Sequence, residues 1–532
     1  LSAAEILPPG HRPVPPGVHA LVGGKVMVKP GDTIDPATIV IRNGLIEAVG
    51  KDLDAPPDAR IWDMKGLTIY PGLIDPFLSL KSASPPVSTD GAEPALTSGG
   101  INFYGVPGQE RDQGNPGPGY ELAPMTPERR VASTYAPDDK SLEALREIGF
   151  TAGNVVPEKG ILRGTSAFVV LSDSGPNEAV LKPDVFQHIA FDTTSAREGA
   201  YPRSLMGVIA AARQSFFDAQ HYRLDQADYR QHPEKRKRPP FNPALEALAP
   251  VLDKKLPVVF EPGSALMVDR AARLAREFSL DFLVRASGQE WRQPLLAQSA
   301  AVPFIVPLNF LEISKLPEED DWSAVSLDQL RAWDWAPENP ALLRRQGLEI
   351  ALTTYGLSEK KNFRKNLRAA LDRGLSETDA LAALTVIPAR LCGVEKSLGT
   401  IETGKIANLT IVEGGTYFNP EAKVREVWID GRLYPVKPPA SGPAKGAAEN
   451  KPGGESPAKQ VEDAKETPPA DKTKEQQASK QSALRDLRSQ RTARHPGEGR
   501  GAIAAPPAVL ITGATLWTCG PAGRLDNADL LV

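Results

Sequence analysis

The sequence predicts an α/β chain built on a parallel, TIM-like β/α barrel, followed by an unstructured linker. Three observations predict it. From about residue 140 short buried apolar runs alternate with amphipathic helical stretches; strand-like segments precede and follow that region; and from Lys437 to about Pro507 aromatic and β-branched residues almost vanish.

The opening strands are ALVGGKVMV (20–28), ATIVIRNGLIEAVG (37–50) and ARIWDMKGLTIYPGLID (59–75), with Asn43-Gly44 as a hairpin turn between alternating apolar runs. Ser141 to Ile148 reads as a helix ending at Gly149, followed by the apolar runs TAGNVV and SAFVVL. Leu205, Ile209, Ala212, Phe216 and Ala219 recur at helical spacing, which predicts one buried stripe. The runs VVF (258–260), FLV (282–284), FIVPL (304–308) and IALTT (350–354) read as buried strands, and Val268, Ala271, Ala272 and Ala275 mark a helix between the first two. A basic helix carrying Phe363, Leu367 and Leu371 ends at Gly374; Ser376 to Asp379 forms a capping box for the next helix, closed by Pro388. Strands return in IANLTIVEG (406–414) and VREVWIDGRLYPV (424–436). Beyond the linker, VLITGATLWTCGPAGRLDNADLLV (509–532) repeats ALVGGKVMVKPGDTIDPATIVI (20–41), with Gly513 answering Gly24, so a tandem protein is expected whose second unit starts here.

Composition narrows the function classes. Lys+Arg 62 against Asp+Glu 66 gives a net charge of −4 in 532 residues, which supplies no global field for nucleic acid or an anionic membrane. No run of 18 apolar residues exists to span a bilayer. Two cysteines, Cys392 and Cys519, exclude a disulfide framework or thiolate zinc site. The chain opens at Leu1 with neither a charged n-region nor an apolar h-region; removal of a presequence during export to the periplasm or beyond, a fragment boundary, and a cytoplasmic location all fit.

The run PGLIDPFLSL (71–80), the closing LTVIPARLCGVEKSLGTIETGKIANLTIVEG and the final VREVWIDGR resemble, in this order, the metal-dependent amidohydrolase superfamily, in its imidazolonepropionase/dihydroorotase-like branch. The resemblance covers most of residues 20–436. It implies a (β/α)8 barrel with a small β-sandwich split around it: residues 1–75 as the N-terminal portion of the sandwich, 76–390 as the barrel, 391–436 as the C-terminal portion of the sandwich, 437–507 as the linker and 508–532 as the start of a second unit. It also implies a hydrolase of non-peptide carbon–nitrogen bonds or a dipeptide-like amide, normally with zinc or another divalent metal at the C-terminal strand ends.

Carried over residue by residue, the family's first-strand histidines fall on Phe77 and Ser79, the fifth-strand histidine on Glu261, the sixth-strand histidine on Ser287 and the eighth-strand aspartate on Tyr355; Asn408 stands where the closing strands usually carry aspartate. The fourth-strand ligand has no assigned position. No metal is therefore expected in this unit, no catalytic residue is assigned, and the resemblance implies a pseudoenzyme that serves as scaffold for the downstream amidohydrolase-like unit. The histidines give an independent check: His11, His19, His188, His221, His232 and His495 form no HxH or HxxxH pair, and His188 and His221 read as ordinary polar side chains.

Glu261, Arg285, Ser287 and Tyr355 are expected to converge at the barrel mouth, where they would bind a small polar ligand, do metal-independent hydrolysis, or merely pair with one another. GTIETGK (399–405) has phosphate-loop spacing, but Ile406 replaces the Ser/Thr for magnesium, so it reads as a turn. The basic run 232–240 lacks interleaved aromatics and reads as a solvated loop, and the Gly-rich stretch 99–119 as a long loop over the mouth.

Because residues 441–505 carry few groups that offset chain entropy, limited proteolysis should cut there first. Slow amide exchange throughout that stretch would contradict the expectation.

Overall fold

The computed structural model describes residues 17–80, 114–115, 117–193, 201–311, 326–436, 508, 510–518, 520–521 and 523–531. The linker 437–507 and most of the Gly-rich stretch 99–119 lie outside the described residues. The chain divides into two units, Leu1–Gln490 and Arg491–Val532.

In the first unit the opening strands are β1 (Val18–Lys29), β2 (Asp32–Arg42), β3 (Leu45–Gly50), β4 (Arg60–Asp63) and β5 (Leu67–Pro71). Asn43 and Gly44, both at positive φ, make the turn that pairs β2 with β3 antiparallel. The barrel-type strands are β6 (Leu73–Leu78), β7 (Phe150–Val155), β8 (Leu162–Thr165), β9 (Ala167–Val170), β10 (Val180–Lys182), β11 (Gln187–Ala190), β12 (Val258–Glu261), β13 (Phe282–Arg285), β14 (Phe304–Pro307) and β15 (Ile350–Thr353). The closing strands are β16 (Leu409–Glu413), β17 (Lys423–Ile429) and β18 (Arg432–Pro435).

The two ends of this unit enter one eight-stranded sheet, ordered β18-β17-β16-β5-β1-β2-β3 with β4 on β1. Leu21, Val26, Ile39, Ile69, Leu409, Ile411 and Trp428 form its core. Asn408 ties the sheet to the strands beyond: its backbone oxygen accepts from Gly72, its Nδ2 donates to Thr151 Oγ1 and its Oδ1 accepts from the Asp430 amide.

The barrel-type strands form two further sheets, β10-β9-β7-β6 and β15-β14-β13-β12-β11-β8. Strands β6 and β7 run parallel, as do β11 through β15. The expectation of uniformly parallel strands fails in the middle. SAFVVL lies in β9, which pairs antiparallel with β7, and β8 pairs antiparallel with β11. Only residues 156–161 separate β7 from β8, too few for the dozen or more that a parallel crossover needs, so the chain turns back on itself. Ser166 separates β8 from β9 and joins the two sheets, donating from its amide to Phe186 O and accepting from the Val185 amide.

On the other side, β15 and β6 share no backbone ladder among the described residues, and side chains bridge the gap. Asp75, fully buried, accepts from the Phe77 amide (2.9 Å) and from the Thr354 amide and hydroxyl (both 2.8 Å), while Thr353 Oγ1 donates to Phe77 O.

The helices follow their apolar spacing. The segment expected at 141–148 is a helix over Asp139–Arg146, capped by Asp138. The next long helix runs Leu205–Gln231 and buries Val208, Ala212, Phe216 and Ala219. Ala265–Glu277 buries Val268, Ala271, Ala272 and Ala275. Ser376 caps Glu377–Leu384 as expected, but Pro388 does not close that helix. It sits in the first turn of a separate helix, Val386–Leu391, where its missing N–H costs nothing.

In the second unit, β19 (Leu510–Trp517) and β20 (Arg524–Leu531) form an antiparallel hairpin. Its partners 511↔530, 514↔528, 516↔525 and 517↔524 reproduce 21↔39, 24↔37, 26↔34 and 27↔33 of β1 and β2. Register corrects the sequence alignment by one residue: Gly513 answers Gly23, not Gly24. Both glycines have positive φ (66° and 79°) at the same irregularity, a conformation that costs a side-chain-bearing residue more.

Asp75→Ala should leave two amides and a hydroxyl of the β6/β15 gap unpaired and lower stability by about 3 kcal/mol, with Asp75→Asn losing less. Denaturant midpoints measure this; an unchanged midpoint in the alanine variant would show that the gap needs no such bridge.

Candidate functional site

The site is built from strand ends around one carboxylate. Glu261 closes β12 with its side chain fully buried. Arg163 from β8 places Nη1 2.5 Å from Glu261 Oε2, and His188 from β11 places Nδ1 3.0 Å from Oε1. Arg285, at the end of β13, brings Nη2 to 4.0 Å from Oε2. Its guanidinium lies 5.0 Å from the Tyr355 ring and 5.8 Å from the Phe77 ring. Phe77 packs edge-on against both Tyr355 (4.9 Å) and His188 (5.6 Å). The antiparallel β8 thus supplies the nearest cation, and the parallel strands supply the rest.

The carboxylate accepts only, so His188 Nδ1 carries the hydrogen between them. Burial pulls the imidazole pKa down, and the two guanidiniums add to this against the pull of Glu261, so the ring is neutral. Burial pushes the Glu261 carboxyl up, but Arg163 foremost, with His188 and Arg285, outweighs it and holds the value at about 2. Tyr355 is raised, by burial first, and stays a phenol. Around this group, burial pulls Lys360 down while Asp75 and Glu158 oppose it; Lys360 Nζ donates to Thr354 O.

Of the residues expected at the mouth, Glu261, Arg285 and Tyr355 come together, and Phe77 joins them. Ser287 does not. Its amide and hydroxyl both donate to Glu290 Oε1 at 2.7 Å, because Glu290 is fully buried and also draws on Gly288 N and Asn339 Nδ2. Ser79 lies half-buried and donates to Glu158. Arg163 was not among the expected residues, and His188, read as an ordinary polar side chain, is a member of the cluster. His221 is exposed beside Asp225, His232 is exposed beside Asp228, and His19 packs against Trp62 and Trp428 in the large sheet. GTIETGK is a turn in which Lys405 meets Thr400 and Glu402, and the run 232–240 is largely exposed.

Metal-type donors are few. His188 and Glu261 meet each other, and among the described residues no group of three or more His, Cys, Asp or Glu side chains comes together.

Residues 337–434 match the Amidohydrolase family, and this match together with a solved amidohydrolase implies a TIM-barrel-type fold, although among the described residues the strands form separate sheets and no closed (β/α)8 barrel. Among solved structures the chain is similar to an amidohydrolase from Thermotoga maritima MSB8, 21% identical with a TM-score of 0.61, covering 78% of this chain and 98% of that one. It overlays more loosely on a Xaa-Pro dipeptidase with bound methionine (16%, TM-score 0.47, 79% and 100% covered) and a putative prolidase from Bifidobacterium longum (14%, TM-score 0.43, 79% and 95%). No curated protein matches the chain in sequence.

The cluster fixes how acid acts on stability. Below about pH 6.5 an unfolded imidazole takes a proton that folded His188 refuses, so stability should fall as pH drops from about 7 towards 5. Glu261, held at about 2 when folded, adds a second loss as pH falls through about 4 towards 2. Denaturant unfolding across pH should show both; His19, also pulled down by burial, adds to the first, so His188→Gln should reduce the first loss without removing it, while keeping the second. A His188→Gln profile with the wild-type slope above pH 5 would assign that slope elsewhere.

Proposed function

We propose that residues 17–436 form an amidohydrolase-type unit that has lost metal-dependent hydrolysis and serves as a scaffold for a second, downstream unit of the same kind beginning near residue 508. In this reading the family's ligand positions have become Phe77, Ser79, Glu261, Ser287 and Tyr355. The observation that carries it is the sign of the charge at the strand ends. Two guanidiniums face the one carboxylate, whose two oxygens are taken by Arg163 and His188. A divalent cation brought there would meet like charge and a spent ligand, so these residues do not fit the zinc or other divalent metal that the family normally holds.

The scaffold aspect of the reading is supported by the hairpin at 510–531. It repeats the register of β1 and β2, yet Ile511 and Leu530 are 44% and 39% exposed where Leu21 and Ile39 are fully buried. An apolar face of that kind calls for the remaining strands of its own sheet.

The test is elemental. The full chain purified without chelator should carry well under one zinc, manganese or iron and hydrolyse no cyclic amide or dipeptide above background. Near one metal per chain, lost together with activity on chelation, would overturn the reading. Metal-free turnover that dies with Glu261→Ala would instead make the unit a metal-independent hydrolase. A second reading, a small-ligand-binding module, is favoured by the buried nitrogens left without partners around Glu261.

A further inference from the structure

Arg163 Nη2, Arg285 Nε and His188 Nε2 are all buried, and none has a hydrogen-bond partner among the described residues. They belong to three side chains already gathered on one carboxylate. Two of these nitrogens carry hydrogens that no acceptor meets. The third differs: with Nδ1 donating to Glu261, the neutral ring presents a lone pair at Nε2.

The charges do not balance either. Arg163 and Arg285 contribute two positive charges, Glu261 one negative, and Tyr355 and His188 none, leaving one positive charge in a buried cluster. Asp75, Lys360 and Glu158 lie nearby with one net negative charge. Glu158, however, is exposed to solvent, and the Asp75 oxygens are engaged by Phe77 and Thr354. An uncompensated buried charge and unmet buried donors are both costly, and one group removes both costs: an anion with a hydrogen to give.

We infer that the Glu261 cluster is a binding site for a small 2-hydroxycarboxylate, whose carboxylate meets Arg163 Nη2 and Arg285 Nε and whose hydroxyl donates to His188 Nε2. One unmet nitrogen from each guanidinium suits the two oxygens of a carboxylate, and the ring of half-buried Tyr355 lies 5.0 Å from the Arg285 guanidinium. A 2-aminocarboxylate fits less well, because its ammonium would bring a positive charge beside two others. The inference rests on the preceding reading only in that the cluster must be free of a metal.

The experiment titrates the chelator-treated full chain with glycolate, acetate, glycine and inorganic phosphate at matched ionic strength, read by calorimetry and by thermal shift. Glycolate should bind saturably and about tenfold more tightly than acetate, the size of one added hydrogen bond, with glycine inactive. Arg285→Met should abolish the glycolate shift; because Arg163 keeps the short pair with Glu261, this variant should retain the wild-type circular dichroism. His188→Leu should bring glycolate and acetate level. If that variant fails to fold, the glycolate-to-acetate ratio of the wild type and the Arg285→Met result still decide. Equal, unsaturable responses to every anion would mean that water alone serves these nitrogens and would overturn the inference, as would phosphate binding more tightly than glycolate. Those failures leave the metal content untouched, whereas a stoichiometric metal sinks the preceding reading and this one together.

Discussion

A carboxylate with no access to water must be neutralised by its neighbours, and in this protein Glu261 imposes that demand on the strands around it. Three strands meet it, one with an imidazole and two with guanidiniums. The strand before it in the sheet contributes the imidazole of His188, the strand after it Arg285, and the antiparallel strand beyond His188 contributes Arg163 at 2.5 Å. The shortest of these contacts comes from the one strand in that sheet that runs against the others. Removing a single partner from such a group leaves a stranded charge, which is why the cluster behaves as a unit under acid and under mutation. The buried Asp75 has a comparable role elsewhere in the unit, since the hydrogen bonds it accepts connect β6 to β15 where the backbone does not.

Much of the fold is legible because its elements carry their own local signals. The Asn43-Gly44 turn, the stripe through Phe216 and Ala219, the Ser376 cap and the apolar runs at 258, 282, 304 and 350 each depend on residues close in sequence. Strand direction does not. SAFVVL reads the same whether it runs with or against TAGNVV, because both of its faces are buried and no alternation marks its partner. The deciding quantity is the short span 156–161, whose length forbids a crossover. Pro388 misleads for a related reason: proline ends one helix or begins another, and only the backbone between Leu384 and Val386 distinguishes the two.

The site is less legible than the fold, and the reasons are electrostatic. Glu261, Arg285 and Tyr355 stand at strand ends, so their strands place them. Arg163 had a usable signal in ILRGTSAFVV, a lone arginine inside a run that is otherwise small or apolar, which requires a buried acid opposite it. His188 lay in the apolar run of its own strand but had no ligand-spaced companion in sequence, and its companion is 73 residues away. Ser287 fails because position along the chain says nothing about competition: buried Glu290, three residues on, needs donors and takes the serine for itself.

The second unit makes the same point about information in a different form. Residues 510–531 share little identity with 20–41, and alignment by eye places Gly513 one residue off. Backbone register puts it opposite Gly23 because both positions need a positive φ at the same break in the ladder. Few residues satisfy a conformational requirement of this kind, whereas the strand positions around it accept any apolar side chain of suitable size. The same reasoning applies at the strand ends of the first unit. The frame delivers side chains from β6, β12 and the end of β15 to one place, and in the proposed reading what has altered is the charge they bring. A frame that converges on a point is indifferent to whether anions gather there around a cation or cations gather around an anion; the residues at Arg163, Glu261 and Arg285 decide the sign, and the sign decides which ligands the frame admits.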